Sequence, residues 1–139
     1  MKPKCFLLGM LGGVALIAVL LLVFGVRFTS DVMAYDASKE ISAKGTVVSG
    51  EEFACPASQG ELGAHFILKT ANGDYVVHLA PARVMRSLHW SFAPGEQVEV
   101  VGAQVRFQGK PGLLAKTITT DKEIYTFRDG DGVLVVKQQ

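Results

Sequence analysis

The sequence predicts a mainly β protein, in which an N-terminal transmembrane helix precedes a five-stranded barrel with one short helix and a C-terminal hairpin. The chain opens with 22 uncharged, mostly apolar residues, Cys5–Val26. Short runs of β-type residues then alternate with Gly, Pro and Asn turn signals, a pattern typical of small barrels and sandwiches. One stretch near the middle has helical spacing instead.

The apolar run is long enough to cross a bilayer. As a helix it would span about 33 Å, against a hydrocarbon core of about 30 Å. A signal peptide has a shorter apolar region of roughly 7–15 residues, so a retained anchor is favoured, although "VMA" ending at Ala34 leaves cleavage open. Lys2 and Lys4 precede the run and only Arg27 flanks its end. This bias places the soluble domain on the extracytoplasmic side of the cytoplasmic membrane.

The predicted organisation is a tail and anchor at 1–27, a linker at 28–40 and the barrel domain at 41–139. Gly9 and Gly13 form one GxxxG pattern within the anchor. Such a pattern can bring two helices together, so self-association through these glycines is one hypothesis and chance occurrence the other.

The soluble part is slightly acidic. All 13 acidic residues but only 11 of the 14 basic residues follow Arg27. A nucleic-acid-binding module is normally basic, so no nucleic-acid partner is expected. Cys55 is the only cysteine after the anchor, which excludes a disulfide within the domain.

The first three strands are predicted to be "KGTVVSG", "AHFILKT" and "DYVVHLA". Gly45 permits a bend in the first strand, and "EEFACPASQGELG" is predicted to be a loop. Asn72-Gly73 joins the second and third strands and is a strong signal for a two-residue hairpin turn.

The helix and the later strands are predicted from the same kinds of signal, namely residue periodicity and turn residues. Pro81 suits the first turn of a helix, and "ARVMRSLH" follows it. Strands four and five are "QVEVVGAQVRF" and "GLLAKTITT", and "IYTFR" and "VLVVK" form the terminal hairpin. The intervening "DGDG" is predicted to be a turn, because Val133, Leu134 and Val135 stand where a calcium loop needs oxygen ligands.

Strand and helix periodicity divide the middle stretch into two faces. Arg83 and Arg86 are predicted to be accessible, with Trp90 outward or at the rim. Arginine and tryptophan are enriched at the energetic centres of interfaces, so these three are candidate binding residues; a solvated helix face with a packing tryptophan is the alternative. His78 is also predicted to be accessible. Predicted to be buried are Tyr75, Val77, Leu79, Val84, Met85 and Leu88.

Two histidines are further binding candidates. A two-residue turn makes His65 and His78 diagonal neighbours on the outer face of the hairpin, roughly 7–8 Å apart. They could share a metal, but a metal site needs three or four ligands, and only Cys55 and Glu61 in the preceding loop are conceivable additions. Histidines packed on a half-exposed face are commoner, so no metal site is predicted. No catalytic motif is present either, and no enzyme is predicted.

The order of these elements over roughly residues 42–120 resembles the OB-fold, a Greek-key barrel with a helix between its third and fourth strands. The resemblance rests on this order, the Asn72-Gly73 hairpin and the helix after Pro81. With the anchor included, the chain is similar to small, membrane-anchored, extracytoplasmic OB-fold proteins of bacteria.

The layout is also similar to that of the haem chaperone family of cytochrome c maturation. In "ITTDKEIYTF", the residues Asp121, Glu123 and Tyr125 echo that family's motif. Thr119 and Thr120 stand where the family has its haem-attaching histidine. Covalent haem attachment is therefore not implied for this chain.

The leading hypothesis is a non-enzymatic binding or adaptor module that contacts an envelope protein or membrane complex. A haem or metal carrier is the alternative, suggested by the similar layout. Single-stranded nucleic-acid binding is a third hypothesis, which the acidic balance disfavours. No cofactor is predicted.

Overall fold

The computed structural model describes residues 33–139, which form a mainly β structure with one short helix, as predicted. Two 3₁₀ turns lie at Ala37–Lys39 and Pro56–Ser58. The strands are β1 (Glu40–Ala54), β2 (Leu62–Thr70), β3 (Gly73–Pro81), β4 (Gln97–Phe107), β5 (Lys110–Thr119), β6 (Ile124–Arg128) and β7 (Leu134–Gln138), and the helix α1 is Ala82–Leu88.

The predicted anchor, with Gly9 and Gly13, lies outside the described residues. Within residues 33–139, no helix is long and apolar enough to cross a membrane.

The strands form one sheet that closes on itself. Its order is β3-β2-β1-β4-β5-β6-β7, and a parallel pairing of β3 with β5 joins the first five strands into a ring. The long strand β1 pairs with β4 through its first half and with β2 through its second half. Gly45 lies near this change of partner, where an added Cβ would collide with the Lys69 carbonyl. Glycine therefore lets the two strands approach at the predicted bend.

The hairpin between β2 and β3 has a different register from the predicted one. Thr70 pairs with Gly73, so the turn residues are Ala71 and Asn72. Gly73 follows the turn with φ +119°, a value that favours glycine. The predicted two-residue turn at Asn72-Gly73 is wrong, because the turn comes one residue earlier in the chain.

The interior of the ring is one hydrophobic cluster. Its buried members include Phe66, Leu68, Val77, Leu79, Met85, Val100, Leu113, Ile118 and Phe127. Tyr75 and Val84 pack against it and are only partly buried. Leu88 is 40% exposed, so its predicted burial is wrong. Helix α1 ends at this residue and His89 turns the chain with φ +55°, so Trp90 and Phe92 cover the core instead.

A second hydrophobic cluster covers the outer face of β2 and β3. Cys55, Val76, Phe107 and Leu114 are its buried members, and Met33, Tyr35, Phe53, Ala57, Ile67 and Val105 pack against them. Strand β1 continues through Ala54, so part of the predicted loop is strand and carries Phe53 over this face. As a result His78 is 0% exposed and His65 is 3% exposed. The predicted accessibility of His78 is wrong, because the hairpin is buried on both faces.

Strands β6 and β7 pair antiparallel beyond the ring, as the predicted terminal hairpin. The Asp129 carboxylate accepts hydrogen bonds from the backbone N–H groups of Asp131 and Val133. "DGDG" is therefore a turn, as predicted. Arg128 at the end of β6 is buried, with 6% exposure.

Candidate metal centre

Three potential metal ligands meet on the outer face of the ring. Cys55 directly follows β1 and precedes the 3₁₀ turn at Pro56–Ser58. His65 in β2 and His78 in β3 are direct cross-strand partners, rather than the diagonal neighbours that were predicted. Directly opposed residues on one face have the shortest side-chain separation in a sheet. The register thus brings the two imidazoles together, with the cysteine sulfur beside His78.

The ligand atoms are close to one another. His78 Nδ1 lies 3.0 Å from His65 Nε2 and 3.4 Å from Cys55 Sγ. All three atoms lie within 4.8 Å of each other. Zinc bonds of about 2.0–2.1 Å to nitrogen and 2.3 Å to sulfur place tetrahedral ligands roughly 3.3–3.6 Å apart. Two of the three separations thus already match a shared ion to within about 0.3 Å.

The tautomer of His65 is set by the backbone. His65 Nδ1 lies 2.9 Å from the Gly63 carbonyl oxygen, and a carbonyl can only accept, so Nδ1 carries the proton. Nε2 then directs its lone pair into the cluster. A hydrogen bond on the far nitrogen is the usual support for a metal-bound imidazole.

Burial keeps both imidazoles neutral. It lowers the pKa of His65 to about 4, although the hydrogen bond to Gly63 opposes this change. Burial also lowers the pKa of His78 to about 3, with smaller contributions from the nearby charges of Arg128 and His65. Neutral imidazole is the form that binds metal, so both side chains are in the ligating state at neutral pH.

Aromatic rings and a glycine shape the surroundings. Phe53 stacks on His65 with ring centroids 3.7 Å apart, and the Phe107 ring meets His65 edge-on at 5.5 Å. A Cβ at Gly63 would lie 2.8 Å from each of three atoms: His65 Cε1, His78 Cε1 and Ser58 Oγ. Gly63 therefore leaves the space that the two imidazoles occupy.

Residues 39–125 match the sequence profile of the MamS/MamX magnetosome protein family. The chain belongs to this family. The matched region contains the whole cysteine–histidine cluster and stops before Arg128. No curated protein matches the chain.

The other predicted binding residues of this MamS/MamX-family chain are not part of the cysteine–histidine cluster. Arg83 pairs with Glu61 at 3.3 Å and Arg86 pairs with Glu52 at 3.1 Å, and all four side chains are exposed. Glu61 thus serves an ion pair in the structure and lies outside the cysteine–histidine cluster. The half-buried Trp90 ring packs edge-on against Tyr125 and Phe127.

A groove of about 550 Å³ runs beside helix α1 and is lined by Arg86, Trp90, Met85 and Phe92 among others. Three of the predicted binding residues, His65, Arg86 and Trp90, thus line one groove. Arg83 lines a different cavity, together with His78.

Sequence reasoning named Cys55 only as a conceivable third ligand. The signal available was its place after a strand that ends beside the histidine-bearing hairpin. No sequence pattern points to Ser58 or Arg128. Both are buried polar residues, and nothing in their local sequence distinguishes them from a loop serine and a strand-end arginine.

Proposed function

We propose that this MamS/MamX-family chain is a membrane-associated magnetosome protein whose β domain binds a transition-metal ion through Cys55, His65 and His78. The observation that carries the proposal is the convergence of three buried ligand atoms within 4.8 Å. The family match supports the magnetosome assignment. A metal carrier, the alternative hypothesis from the sequence, thus becomes the leading hypothesis.

The ligand set selects the class of ion. One thiolate and two imidazoles suit zinc and copper, whereas magnesium and calcium prefer oxygen ligands. Three protein ligands leave the fourth position of a tetrahedral ion open. An open position suits an ion that exchanges with a partner or binds a further ligand. The proposed role is therefore reversible metal binding.

The finer features of the sequence hypothesis remain part of the proposal. We infer that the five-stranded ring is an OB-like barrel, supported by the helix between β3 and β4 and by the parallel β3–β5 closure. The transmembrane anchor, the extracytoplasmic position and a protein partner in the envelope or a membrane complex remain predictions.

The proposal is tested by metal titration of the full-length chain, purified in detergent and stripped with a chelator. Cobalt(II) serves as the optical probe and zinc as its competitor. We expect one equivalent of cobalt to produce thiolate-to-metal charge-transfer absorption and the visible bands of a tetrahedral site, and zinc to abolish both. Cys55→Ser should remove the charge-transfer absorption, and His78→Gln should weaken binding at least tenfold.

His89→Gln is the matched control. His89 is the third histidine of the chain and is exposed outside the cluster, so its loss should leave the cobalt spectrum and affinity unchanged. Circular dichroism of each variant separates lost binding from lost folding. Identical cobalt binding by folded Cys55→Ser and wild-type protein would overturn the proposal.

A haem-binding role has less structural support. His65 and His78 are buried, with 3% and 0% exposure, so neither imidazole is presented to a large planar ligand. Absorbance of the purified chain with added haem tests this alternative directly. A Soret shift that survives His89→Gln and is lost in His78→Gln would favour haem over a bare ion.

A protein-binding surface is a second candidate function. The groove beside α1 has arginine and tryptophan at its wall, residue types enriched in interface centres. Arg83→Ala with Arg86→Ala should reduce recovery of a partner from detergent-solubilised membranes without lowering the melting temperature. If a stable double variant recovers the partner as well as wild type does, these two arginines are not part of the binding surface.

A further inference from the structure

A cavity of about 420 Å³ adjoins the cysteine–histidine cluster on the outer face. His78 and Ser58 form part of its wall, together with Tyr35, Arg128 and the segment around Met33. The cavity therefore lies between the second hydrophobic cluster and the turn of the β6–β7 hairpin, where Gly132 and Leu134 line it.

Two buried polar atoms beside this cavity have no hydrogen-bond partner among residues 33–139. They are Ser58 Oγ and His78 Nε2. Ser58 is only 4% exposed and His78 is 0% exposed. Buried polar atoms are nearly always satisfied in native proteins. The unpartnered atoms on residues that line this cavity therefore indicate a polar molecule there, and the Ser58 hydroxyl is the one that can donate to it, because neutral His78 donates from Nδ1 to His65 Nε2.

Arg128 supplies a buried positive charge at the same cavity. Its Nη1 donates to the carbonyl oxygens of Leu79 and Ala115, which fixes the guanidinium in place. Nε and Nη2 make no hydrogen bond within the described part of the chain. Arg128 also has no carboxylate partner there. A buried charge is normally paired, so this arginine lacks a counter-ion.

The other ionisable groups that line the cavity do not supply that counter-ion. Glu61 is paired with Arg83 at the rim. The Tyr35 hydroxyl donates to Glu40, and burial raises the pKa of Tyr35, so the phenol is neutral. His78 is neutral as well. The net charge of the cavity wall is therefore that of one arginine.

We propose that this cavity binds a small oxyanion or carboxylate, held by the free guanidinium edge of Arg128 and by the Ser58 hydroxyl. A planar guanidinium presents parallel N–H donors that match two oxygens of such an anion. The Ser58 hydroxyl would donate a further hydrogen bond. The site goes beyond the proposed metal function, because it needs no ion at Cys55.

The test measures thermal unfolding of the full-length chain in detergent and chelator. Sodium chloride is replaced by inorganic phosphate or by acetate at constant ionic strength. We expect a saturable rise in melting temperature with phosphate, with acetate or with both, and the comparison separates an oxyanion from a carboxylate. No saturable rise with either anion would overturn the proposal.

Variants locate the site. Arg128→Met keeps most of the side-chain length and should weaken anion binding at least tenfold, and Arg128→Lys should retain part of it. Ser58→Ala, which removes only an unpartnered hydroxyl, should weaken binding a few-fold in a stable protein. Arg86→Met is the control, since Arg86 is exposed and lies in the α1 groove, and it should bind like wild type.

If the Arg128 variants fail to fold, anion binding by the Ser58→Ala variant decides whether the anion occupies this cavity. Saturable stabilisation that is unchanged in Ser58→Ala would overturn the assignment to this cavity. Because the assay contains chelator, its outcome is separate from that of cobalt binding. Cobalt binding without anion binding refutes only this inference, and the reverse result refutes only the metal proposal.

Discussion

Gly63→Ala is expected to damage the candidate metal centre through a single added methyl group. That methyl would lie 2.8 Å from His65 Cε1, His78 Cε1 and Ser58 Oγ. The His65 ring cannot easily move aside, because it donates a hydrogen bond to the Gly63 carbonyl and stacks on Phe53. Overpacking of this kind costs about 1–3 kcal/mol. We expect the upper half of that range, since three buried atoms must move at once.

Gly50→Ala is the matched control for this prediction. Gly50 lies on the adjacent strand β1, and an added Cβ would meet only the His65 carbonyl oxygen, at 3.9 Å. That separation is ordinary van der Waals contact. The free energy of unfolding should therefore change by less than about 0.5 kcal/mol, as at most surface positions.

The assay is urea unfolding of the full-length chain in detergent and chelator, followed by circular dichroism, with a parallel cobalt titration. Gly63→Ala should also weaken cobalt binding by about 10–100-fold, as is typical when residues that support metal ligands are changed. Equal unfolding free energies and equal cobalt affinities for Gly63→Ala and Gly50→Ala would refute the reasoning, because they would show that the imidazoles do not occupy this space.

Three further predictions concern the stability of the domain. Leu79→Ala should lower the unfolding free energy by ~2–5 kcal/mol because Leu79 is 4% exposed in the core; a loss below 1 kcal/mol would contradict its core position. Gly73→Val should cost ~1–3 kcal/mol because Gly73 has φ +119°, and an unchanged melting temperature would refute this. In chelator, acidification from pH 7 to 5 should cost ~2 kcal/mol for each of His65 and His78. Their pKa values of about 4 and about 3 keep them neutral when folded, while the unfolded chain gains protons below pH 6.5; constant stability over this range would contradict their burial.

Strand positions could be predicted because the chain alternates apolar residues with clear turn signals. Turn geometry could not. Asn72-Gly73 is a stronger signal for a two-residue turn than Gln108-Gly109, which joins β4 and β5. Yet the two positive φ values typical of such a turn occur at Gln108 and Gly109, +49° and +78°. At the β2–β3 turn, the Thr70 hydroxyl instead accepts from the Asn72 N–H and donates to the Gly73 carbonyl. This side-chain bonding competes with the simple dipeptide preference.

The site was harder to predict than the strands because it depends on the outer hydrophobic cluster. Phe53 and Phe107 reach the histidines from the ends of two different strands. Tyr35 comes from a segment before the first strand. Periodicity within a hairpin shows which residues share a face, but it does not show what covers that face. The burial of His65 and His78, and with it their ligating state, follows from contacts distant in sequence.

The turn at Ala71–Asn72 also fixes the spacing of the candidate metal ligands. Counting back from the Thr70–Gly73 pair, one residue along β2 for each along β3, places His65 opposite His78. A turn at Asn72-Gly73 would place His65 opposite Ala80 instead. A shift of two residues keeps each side chain on its face, so the strands and the core would look much the same. The imidazoles would then become diagonal neighbours, roughly 7–8 Å apart at the backbone, and would need different rotamers to keep the 3.0 Å contact between ring nitrogens. The turn at Ala71–Asn72 therefore sets the register of the hairpin, and through the register it sets the geometry of the candidate metal centre.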